Sequence, residues 1–246
     1  MRVALFADIH ANRQAFAACL AQARALGAER SVLLGDYVGY GADPAWAVAT
    51  VRDLIAGGAL AVRGNHDSAV TSTRERMNAA AQMAIEWTRG ELGEADQRFL
   101  DRLPLTHGED DRLYVHADAS SPQSWHYVLE PEDAALSMSA TPAAVTLCGH
   151  VHQPMVHALS RTGELTSFVP KTGRPIALLP DRRWLAVLGA VGQPRDGNPA
   201  ACFAMLDTER RELTYWRTAY DVEGAAAAIR SKGLPSWLAD RLLIGV

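Results

Sequence analysis

The feature that most constrains the fold is a strand–helix–strand order at the start of the chain. Residues 2–7 form a short aliphatic run, which is typical of a buried strand. The next segment places apolar residues at helical spacing between Asn12, a suitable cap, and Gly27, a suitable stop. The same order returns in "RSVLLGD", in a helix opened by Pro44, and in "ALAV" from Ala59. This alternation predicts a sheet with parallel strands.

The rest of the chain predicts further strands and ends in a helical pair. Helices are expected over residues 77–89, 94–102, 222–230 and 236–243, and strands at "DRLYVHA" and "AAVTLCGH". After His152, shorter alternating runs separated by Gly and Pro turns predict a largely antiparallel second sheet. With no repeat and no linker between domains, we expect one domain over residues 1–246. Its fold class would be α/β (α+β), with two packed sheets and helices outside.

Composition limits the classes of partner. The chain is 48% apolar and 21% charged, as in ordinary globular proteins. Its net charge of -4 argues against a broad surface for nucleic acid, so long nucleic acid is not an expected partner. Three scattered cysteines predict reduced thiols. The amino-terminal apolar run is too short for a signal peptide or a membrane span, so we expect a cytoplasmic protein without a membrane partner.

Polar side chains follow five of the predicted strands, at the point where each strand ends. The segments read "DIH", "GD", "GNHD", "VH" and "GHVH" in chain order. Because the carboxyl ends of strands in an α/β sheet meet at one edge, we expect these segments to converge. Five of the eight histidines lie in them, namely His10, His66, His116, His150 and His152. For "GNHD" alone a polar turn would be the simpler interpretation, but five such segments predict a shared site.

The donors in these segments are suited to metal ions. Carboxylate, imidazole and amide donors fit first-row ions such as manganese, iron, nickel or zinc, whereas a structural zinc site usually includes cysteine. Asp8 and His10 lie two positions apart, as do His150 and His152. Alternate residues of an extended segment point the same way, so each pair can bind one shared centre. The donors exceed the needs of one ion.

The ordered motifs D-x-H, G-D, G-N-H-D/E, a single H and G-H-x-H, over residues 1 to about 160, resemble those of the calcineurin-like metallophosphoesterases. The resemblance implies a four-layer αββα sandwich, in which two mixed sheets are flanked by helices. It also implies two metal ions, divalent or trivalent, with manganese favoured over iron, nickel or zinc. The implied ligands are Asp8, His10 and His152 for one ion, Asn65, His116 and His150 for the other, and Asp36 as the bridge.

The resemblance further implies hydrolysis of a phosphoester bond by a hydroxide that bridges the metals. His66 would face the substrate as an acid, and Asp67 would orient its imidazole by accepting the second N–H. Two divalent ions, two aspartates and one hydroxide leave a charge of about +1, which suits an anionic substrate. Residues His66 and Asp67 are therefore the expected catalytic pair.

The second motif bears on the substrate. Tyr40 stands where the Ser/Thr phosphoprotein phosphatases and similar diadenosine tetraphosphate hydrolases carry an arginine, and tyrosine cannot make that bidentate clamp. This favours the small bacterial and archaeal phosphodiesterase-like branch and a small phosphodiester substrate. Phosphomonoesters, nucleotides, phosphoproteins and a non-catalytic scaffold remain alternatives. Tyr37 and Tyr40 are candidates to line the substrate, although packing would also explain them.

Several nearby residues carry no single prediction. Ala11 replaces a glycine that is frequent after D-x-H, and Asp118 stands near the single histidine, where it could repel an anion. Arg195 could reach the substrate or stabilise its loop. Cys148 is expected to be a buried thiol and not a nucleophile. The metal identity, the physiological substrate and the oligomeric state stay open.

Overall fold

The computed structural model describes residues 1–72 and 77–246. Strands and helices alternate in its first part, in the order β1 (Arg2–Phe6), α1 (Arg13–Ala25), β2 (Arg30–Leu33), α2 (Pro44–Ala56), β3 (Leu60–Ala61), α3 (Asn65–Thr71), α4 (Ala79–Glu91) and α5 (Glu94–Asp101). The middle contains β4 (Thr106–Glu109), β5 (Arg112–Val115), a 3-10 turn (Pro122–Ser124), α6 (Pro131–Ser139) and β6 (Val145–Cys148). The last part contains β7 (Met155–Ser160), β8 (Leu165–Phe168), β9 (Ile176–Ala177), β10 (Arg182–Val187), β11 (Ala201–Asp207), β12 (Glu212–Thr218), α7 (Val222–Ser231) and α8 (Ser236–Ile244).

Two six-stranded sheets form the frame. The first sheet has the order β3-β2-β1-β11-β12-β9, and the second has the order β4-β5-β6-β10-β7-β8. Both are mixed: β1, β2 and β3 are parallel neighbours, as are β5, β6 and β10, while the other pairs are antiparallel. The prediction that the strands after His152 form one separate sheet is therefore wrong. β11 and β12 join the first sheet because β11 pairs with β1, and β7, β8 and β10 extend the second.

Apolar side chains fill the space between the sheets and cover both outer faces. Between the sheets lie Leu5, Val32, Leu147 and Trp184, with their buried neighbours. The outer face of the first sheet packs against α1 and α2, and the outer face of the second sheet packs against α6. This arrangement is the predicted four-layer αββα sandwich, which sheet-on-sheet packing and helix packing produce together.

Local sequence chemistry explains the first helix. The Asn12 side chain accepts a hydrogen bond from the backbone N–H of Ala15 at 3.1 Å and so caps α1. Phe16, Cys19 and Leu20 occupy its buried face, and Gly27 follows its end with φ of 79°. Burying that face places the loop before α1, which carries Asp8 and His10, against the edge of the sheet.

Among the helices of residues 1–72 and 77–246, none is both long enough and apolar enough to cross a bilayer.

Candidate metal centre

The carboxyl ends of β1, β2, β3, β5 and β6 meet at one edge of the sandwich. Hydrogen bonds join the two sheets there: the backbone N–H of His150 donates to the Asp8 carboxylate at 3.0 Å, and the His116 Nδ1 lies 2.7 Å from the carbonyl oxygen of Leu34. Apart from Asn65, which is half-buried, the candidate ligands are buried. Segments that are far apart in the sequence thus form one enclosed polar cluster.

Five of the candidate ligands lie on left-handed backbone. The φ angles are 55° at Asp8, 48° at His10, 55° at Asp36, 69° at His150 and 65° at His152. This conformation costs a residue with a side chain about 1–2 kcal/mol, and such strain is concentrated at functional sites. The expected extended geometry of the two alternate-residue pairs is therefore wrong. Sharp turns after the strands, and not strand alternation, aim these side chains.

The first donor set consists of Asp8, His10 and His152, whose ligand atoms lie within 4.8 Å of one another. The Nε2 atoms of His10 and His152 are 3.0 Å apart. The His152 Nε2 lies 3.4 Å from Oδ1 of Asp8, and the His10 Nε2 lies 3.7 Å from Oδ2 of Asp36. These distances leave the three donors and Asp36 facing one point.

The second donor set consists of Asn65, His116 and His150. The His116 Nε2 lies 3.2 Å from Nδ1 of His150 and 3.1 Å from Oδ1 of Asn65. It also lies 3.4 Å from Oδ2 of Asp36, the same oxygen that faces His10. Asp36 therefore stands between the two sets. His150 and His152 face different sets, so this pair does not bind one shared centre.

Backbone carbonyls fix which ring nitrogen faces each set. The nitrogens that point away lie close to carbonyl oxygens, at 3.1 Å (His10 Nδ1 to Val38), 2.6 Å (His152 Nδ1 to Gln193), 2.7 Å (His116 Nδ1 to Leu34) and 3.0 Å (His150 Nε2 to Trp125). A carbonyl oxygen only accepts, so each of these nitrogens carries a proton, and in the neutral ring the other nitrogen presents its lone pair to the set. Lone pairs converging at this range repel unless a cation lies among them, so the donors fit metal ions.

Burial and neighbouring charges make the two sets titrate differently. Burial holds the pKa values of His10 and His152 well below the ordinary value, and it lowers the pKa of His150 to about 3. Burial also acts to lower the pKa of His116, but the carboxylates of Asp36 and Asp8 raise it to about 9. At neutral pH a proton on His116 thus competes with a metal in the second set, whereas His10 and His152 of the first set carry no such proton.

His66 lies beside the first donor set. Its ring centre is 4.9 Å from that of His10 and 4.4 Å from that of Tyr40, and its backbone N–H donates to Oδ1 of Asp36 at 2.8 Å. Its Nδ1 is buried and has no hydrogen-bond partner among residues 1–72 and 77–246. Burial lowers the pKa of His66 to about 4, so the imidazole is neutral at pH 7. Distance alone also allows His66 to form a metal-holding group with His10 and Asp36.

Asp67 has a different role from the one predicted. Its carboxylate accepts the backbone N–H groups of Asp36 at 2.8 Å, Tyr37 at 2.9 Å and Gly64 at 2.9 Å. The prediction that it orients the His66 ring is wrong, because both oxygens are engaged with the backbone. Asp67 instead ties the turn after β2 to the start of α3. Gly64 permits this approach, since a methyl group there would overlap the Asp36 carboxylate.

The two tyrosines of the second motif separate in the structure. Tyr37 is fully buried, packs in the core outside the first sheet, and donates its hydroxyl to the Val62 carbonyl at 2.5 Å. The prediction that Tyr37 lines the substrate is therefore wrong, because the turn directs it inward. The ring of Tyr40 lies 4.6 Å from that of His10, so Tyr40 does border the first donor set.

Arg195 brings positive charge to the same side. Its guanidinium carbon lies 5.7 Å from the centre of the Tyr40 ring, and its NH2 donates to Oε1 of Gln193 at 2.9 Å. Its Nε is buried and without a partner within the described chain. The Arg195 charge contributes, after burial, to the lowered pKa values of His10 and His152. Sequence reasoning left its role open.

Sequence reasoning missed an aromatic loop beside the second donor set. The Tyr127 ring stacks on that of His150 at 4.1 Å and 17°, and the Trp125 carbonyl accepts from the His150 ring. Asp118 shapes this loop by accepting the backbone N–H groups of Ser120 at 3.1 Å and Ser121 at 3.2 Å. The available signal was two aromatic residues, Trp125 and Tyr127, placed two positions apart in "SWHYV". This segment follows the predicted strand that ends at His116.

A sequence model of the calcineurin-like phosphoesterase superfamily domain matches residues 1–211. The chain therefore belongs to the calcineurin-like phosphoesterase superfamily. Its donors also agree with the metal dependence of that family, because the described side chains include His and Asp groups able to hold metal ions.

Individual relatives agree with this placement. The chain is 33% identical to the Methanocaldococcus jannaschii protein MJ0912, itself described as uncharacterized, over 99% of this chain and 98% of that one. It is similar to the crystal structure of a metallophosphoesterase from Sphaerobacter thermophilus, with 32% identity, complete coverage of both chains and a TM-score of 0.87. The hypothetical protein PH1004 from Pyrococcus horikoshii OT3 has the same fold, with 17% identity, coverage of 100% and 98%, and a TM-score of 0.80.

Proposed function

We propose that the chain is a dinuclear metal-dependent phosphoesterase that hydrolyses small phosphodiesters. The observation that carries this proposal is the orientation of four imidazoles, His10, His152, His116 and His150, whose metal-facing ring nitrogens converge in two sets on either side of Asp36. Manganese suits these nitrogen and oxygen donors, as do iron, nickel and zinc. Two such ions supply a water nucleophile at neutral pH and neutralise charge that develops on the phosphoryl group.

The residues around the donor sets have distinct roles in this proposal. His66, whose ring lies beside that of His10, hydrogen-bonds a phosphoryl oxygen or the leaving oxygen with its imidazole. A bound phosphate next to the ring favours the imidazolium, so the pKa of His66 rises from about 4 and the acid role becomes available when substrate binds. Arg195 supplies a positive charge at the position that Tyr40 leaves uncharged, which helps to hold a singly charged diester.

Size and charge favour small substrates over the alternatives. The net charge of -4 offers no broad attraction to a polymer of phosphates. A cavity of about 240 Å³ adjoins Asn65 and His150, and this volume lies below the range of about 300–1,000 Å³ for drug-sized ligands. A phosphomonoester, a nucleotide or a phosphoprotein could use the same donors, so the substrate test must include them.

We also propose a cytoplasmic location and a single domain.

The proposal is tested by reloading metal-free protein with one metal at a time and offering a phosphoester panel. The panel contains bis(p-nitrophenyl) phosphate, p-nitrophenyl phosphate, a nucleotide, a phosphopeptide and long DNA. We expect metal-dependent hydrolysis, fastest for the diester. His66→Ala should lower that rate by about 10²- to 10⁴-fold while metal content is retained. The matched control is His107→Ala, which removes a half-buried imidazole on β4, outside both donor sets.

Two results would contradict the proposal. Protein that binds metal but hydrolyses nothing in the panel would favour a non-catalytic scaffold. An unchanged rate in His66→Ala would exclude the acid role while leaving the metal centre in place.

A further inference from the structure

The cavity beside the second donor set has an unusual lining. Its volume is about 240 Å³, and Asn65 and His150 of that set form part of its wall. The opposite wall is the aromatic loop with Trp125 and Tyr127, together with the side chains of Gln123 and Ser124. Among the described lining residues none carries a charge at neutral pH. A group that enters here meets ring faces, the Met77 side chain, an amide and a hydroxyl directly next to the donors.

The aromatic wall is held in place by the donor set itself. Tyr127 stacks on His150 with an angle of 17° between the rings, although 49% of its own surface is exposed. Trp125 adopts a left-handed conformation with φ of 54°, and its carbonyl accepts from the His150 Nε2 at 3.0 Å. The next residue after Tyr127, Val128, is buried in the core under α6. The Tyr127 ring is exposed but is held by its stack on His150 and by the buried Val128 next to it in the chain. Such a ring is preorganised to stack another planar ring.

We propose that this cavity is a subsite for the nucleobase of a nucleoside phosphoester. The base would stack on the aromatic loop, and the phosphate would lie between the two donor sets. The inference rests on the proposed function only for the position of the phosphate. Every base has a π face, so stacking needs no charge, and the Gln123 amide and Ser124 hydroxyl match the hydrogen-bonding edge of a base. A second phosphate group would find no cation among the described lining residues.

The inference also assigns a direction to the substrate. Arg195 and Tyr40 lie on the side of the first donor set, and the cavity lies on the side of the second. A phosphoester whose phosphate lies between the sets would therefore place its anionic oxygens towards Arg195 and its base towards Tyr127.

Binding of products tests this inference without any need for turnover. The protein is loaded with manganese, and isothermal titration calorimetry compares adenosine 5′-monophosphate with ribose 5-phosphate, which has the same phosphate but no base. We expect the nucleotide to bind more tightly by a factor of about 5 to 150, the range for stacking of one base. Tyr127→Ala should remove most of this difference without weakening ribose 5-phosphate. Tyr127→Phe should keep the difference, because the ring and not the hydroxyl makes the stack.

Two further variants complete the test. Trp125→Leu removes the second ring but keeps the backbone carbonyl that contacts His150, so it reports on the wall even if Tyr127→Ala misfolds. Phe168→Ala is the matched control, because Phe168 is an exposed ring on β8, outside the cavity lining. Equal affinities for the two ligands in the wild type would overturn the subsite, as would an equal loss of both in Tyr127→Ala. A base-dependent affinity in protein that hydrolyses no phosphoester would support the subsite and contradict the proposed hydrolysis.

Discussion

The two donor sets share Asp36 but face different surroundings. The first set, Asp8, His10 and His152, is bordered by Tyr40 and Arg195. The second set adjoins the cavity of about 240 Å³ and the aromatic loop. A metal held by the first set would thus lie on the side of the Arg195 guanidinium, and one held by the second would lie beside the cavity. The difference indicates that one side binds charge and the other accepts the organic part of a substrate.

Asp36→Asn should have the largest effect, because it removes the charged oxygen that faces both sets at once. Residues that merely support a metal ligand already contribute about 10- to 100-fold to affinity or activity, so we expect a loss of well over 100-fold in phosphoester hydrolysis. Elemental analysis should show that occupancy falls at both positions.

The control for Asp36→Asn is Asp53→Asn, which changes an exposed carboxylate on α2 in the same way. If Asp36→Asn lost one metal and kept the other at full occupancy, Asp36 would belong to a single set, and the comparison between two linked sets would fail.

Arg195→Ala should have an intermediate effect that is specific to the first side. A hydrogen bond to a charged group is worth about 1.5–3 kcal/mol, which corresponds to a loss of roughly 10- to 150-fold in kcat/KM for a phosphodiester. Arg195→Lys keeps the charge but loses the planar fork, so it should recover part of the rate. Metal content should not change in either variant, and a loss of metal instead of catalysis would show that Arg195 only supports the His152 loop.

The smallest expected effect is a difference between the two sets in the number of protons released when a metal binds. His116 has a pKa of about 9, so between pH 7 and 9 it must lose a proton to bind a metal, whereas His10 and His152 are already neutral. Burial raises the pKa of Asp8 to about 7, so at pH 8 and above Asp8 has already lost most of its proton. Affinity at the second set should therefore rise with pH by up to about tenfold per unit until pH 9.

Calorimetry of manganese binding at pH 8, in buffers that differ in ionisation enthalpy, measures this release directly. We expect close to one proton for the second equivalent of metal and almost none for the first. His116→Gln should abolish the release, and the same release from both equivalents would contradict the assignment of His116 to one set.

The sequence predicted the convergence of the donors better than it predicted their geometry. Asp8, His10 and Asp36 could be placed at one edge because apolar runs end directly before them. Their left-handed φ angles could not be read from the sequence, since the turns are imposed by contacts between distant segments, such as the bond from His150 to Asp8. Asp67 was assigned to His66 because the two are adjacent in sequence, yet the start of α3 turns its carboxylate towards the backbone instead.

Long-range pairing explains the remaining differences. β11 could not be assigned to the first sheet from its own sequence, because its continuous apolar run fits either sheet equally well, and its antiparallel pairing with β1 decides. The aromatic loop was missed for a related reason. Tyr127 becomes significant only through His150, which the chain reaches 23 residues later (150 − 127).

The left-handed residues of the centre have a consequence for how the protein acquires its shape. Each costs about 1–2 kcal/mol, so five of them together approach the whole net stability of a domain, which is about 5–15 kcal/mol. Short peptides carrying these motifs would not hold such turns by themselves. The donors can therefore assemble only once β1 and β6, which belong to different sheets, have docked. Metal uptake during refolding would then be a late event that reports completion of the native state.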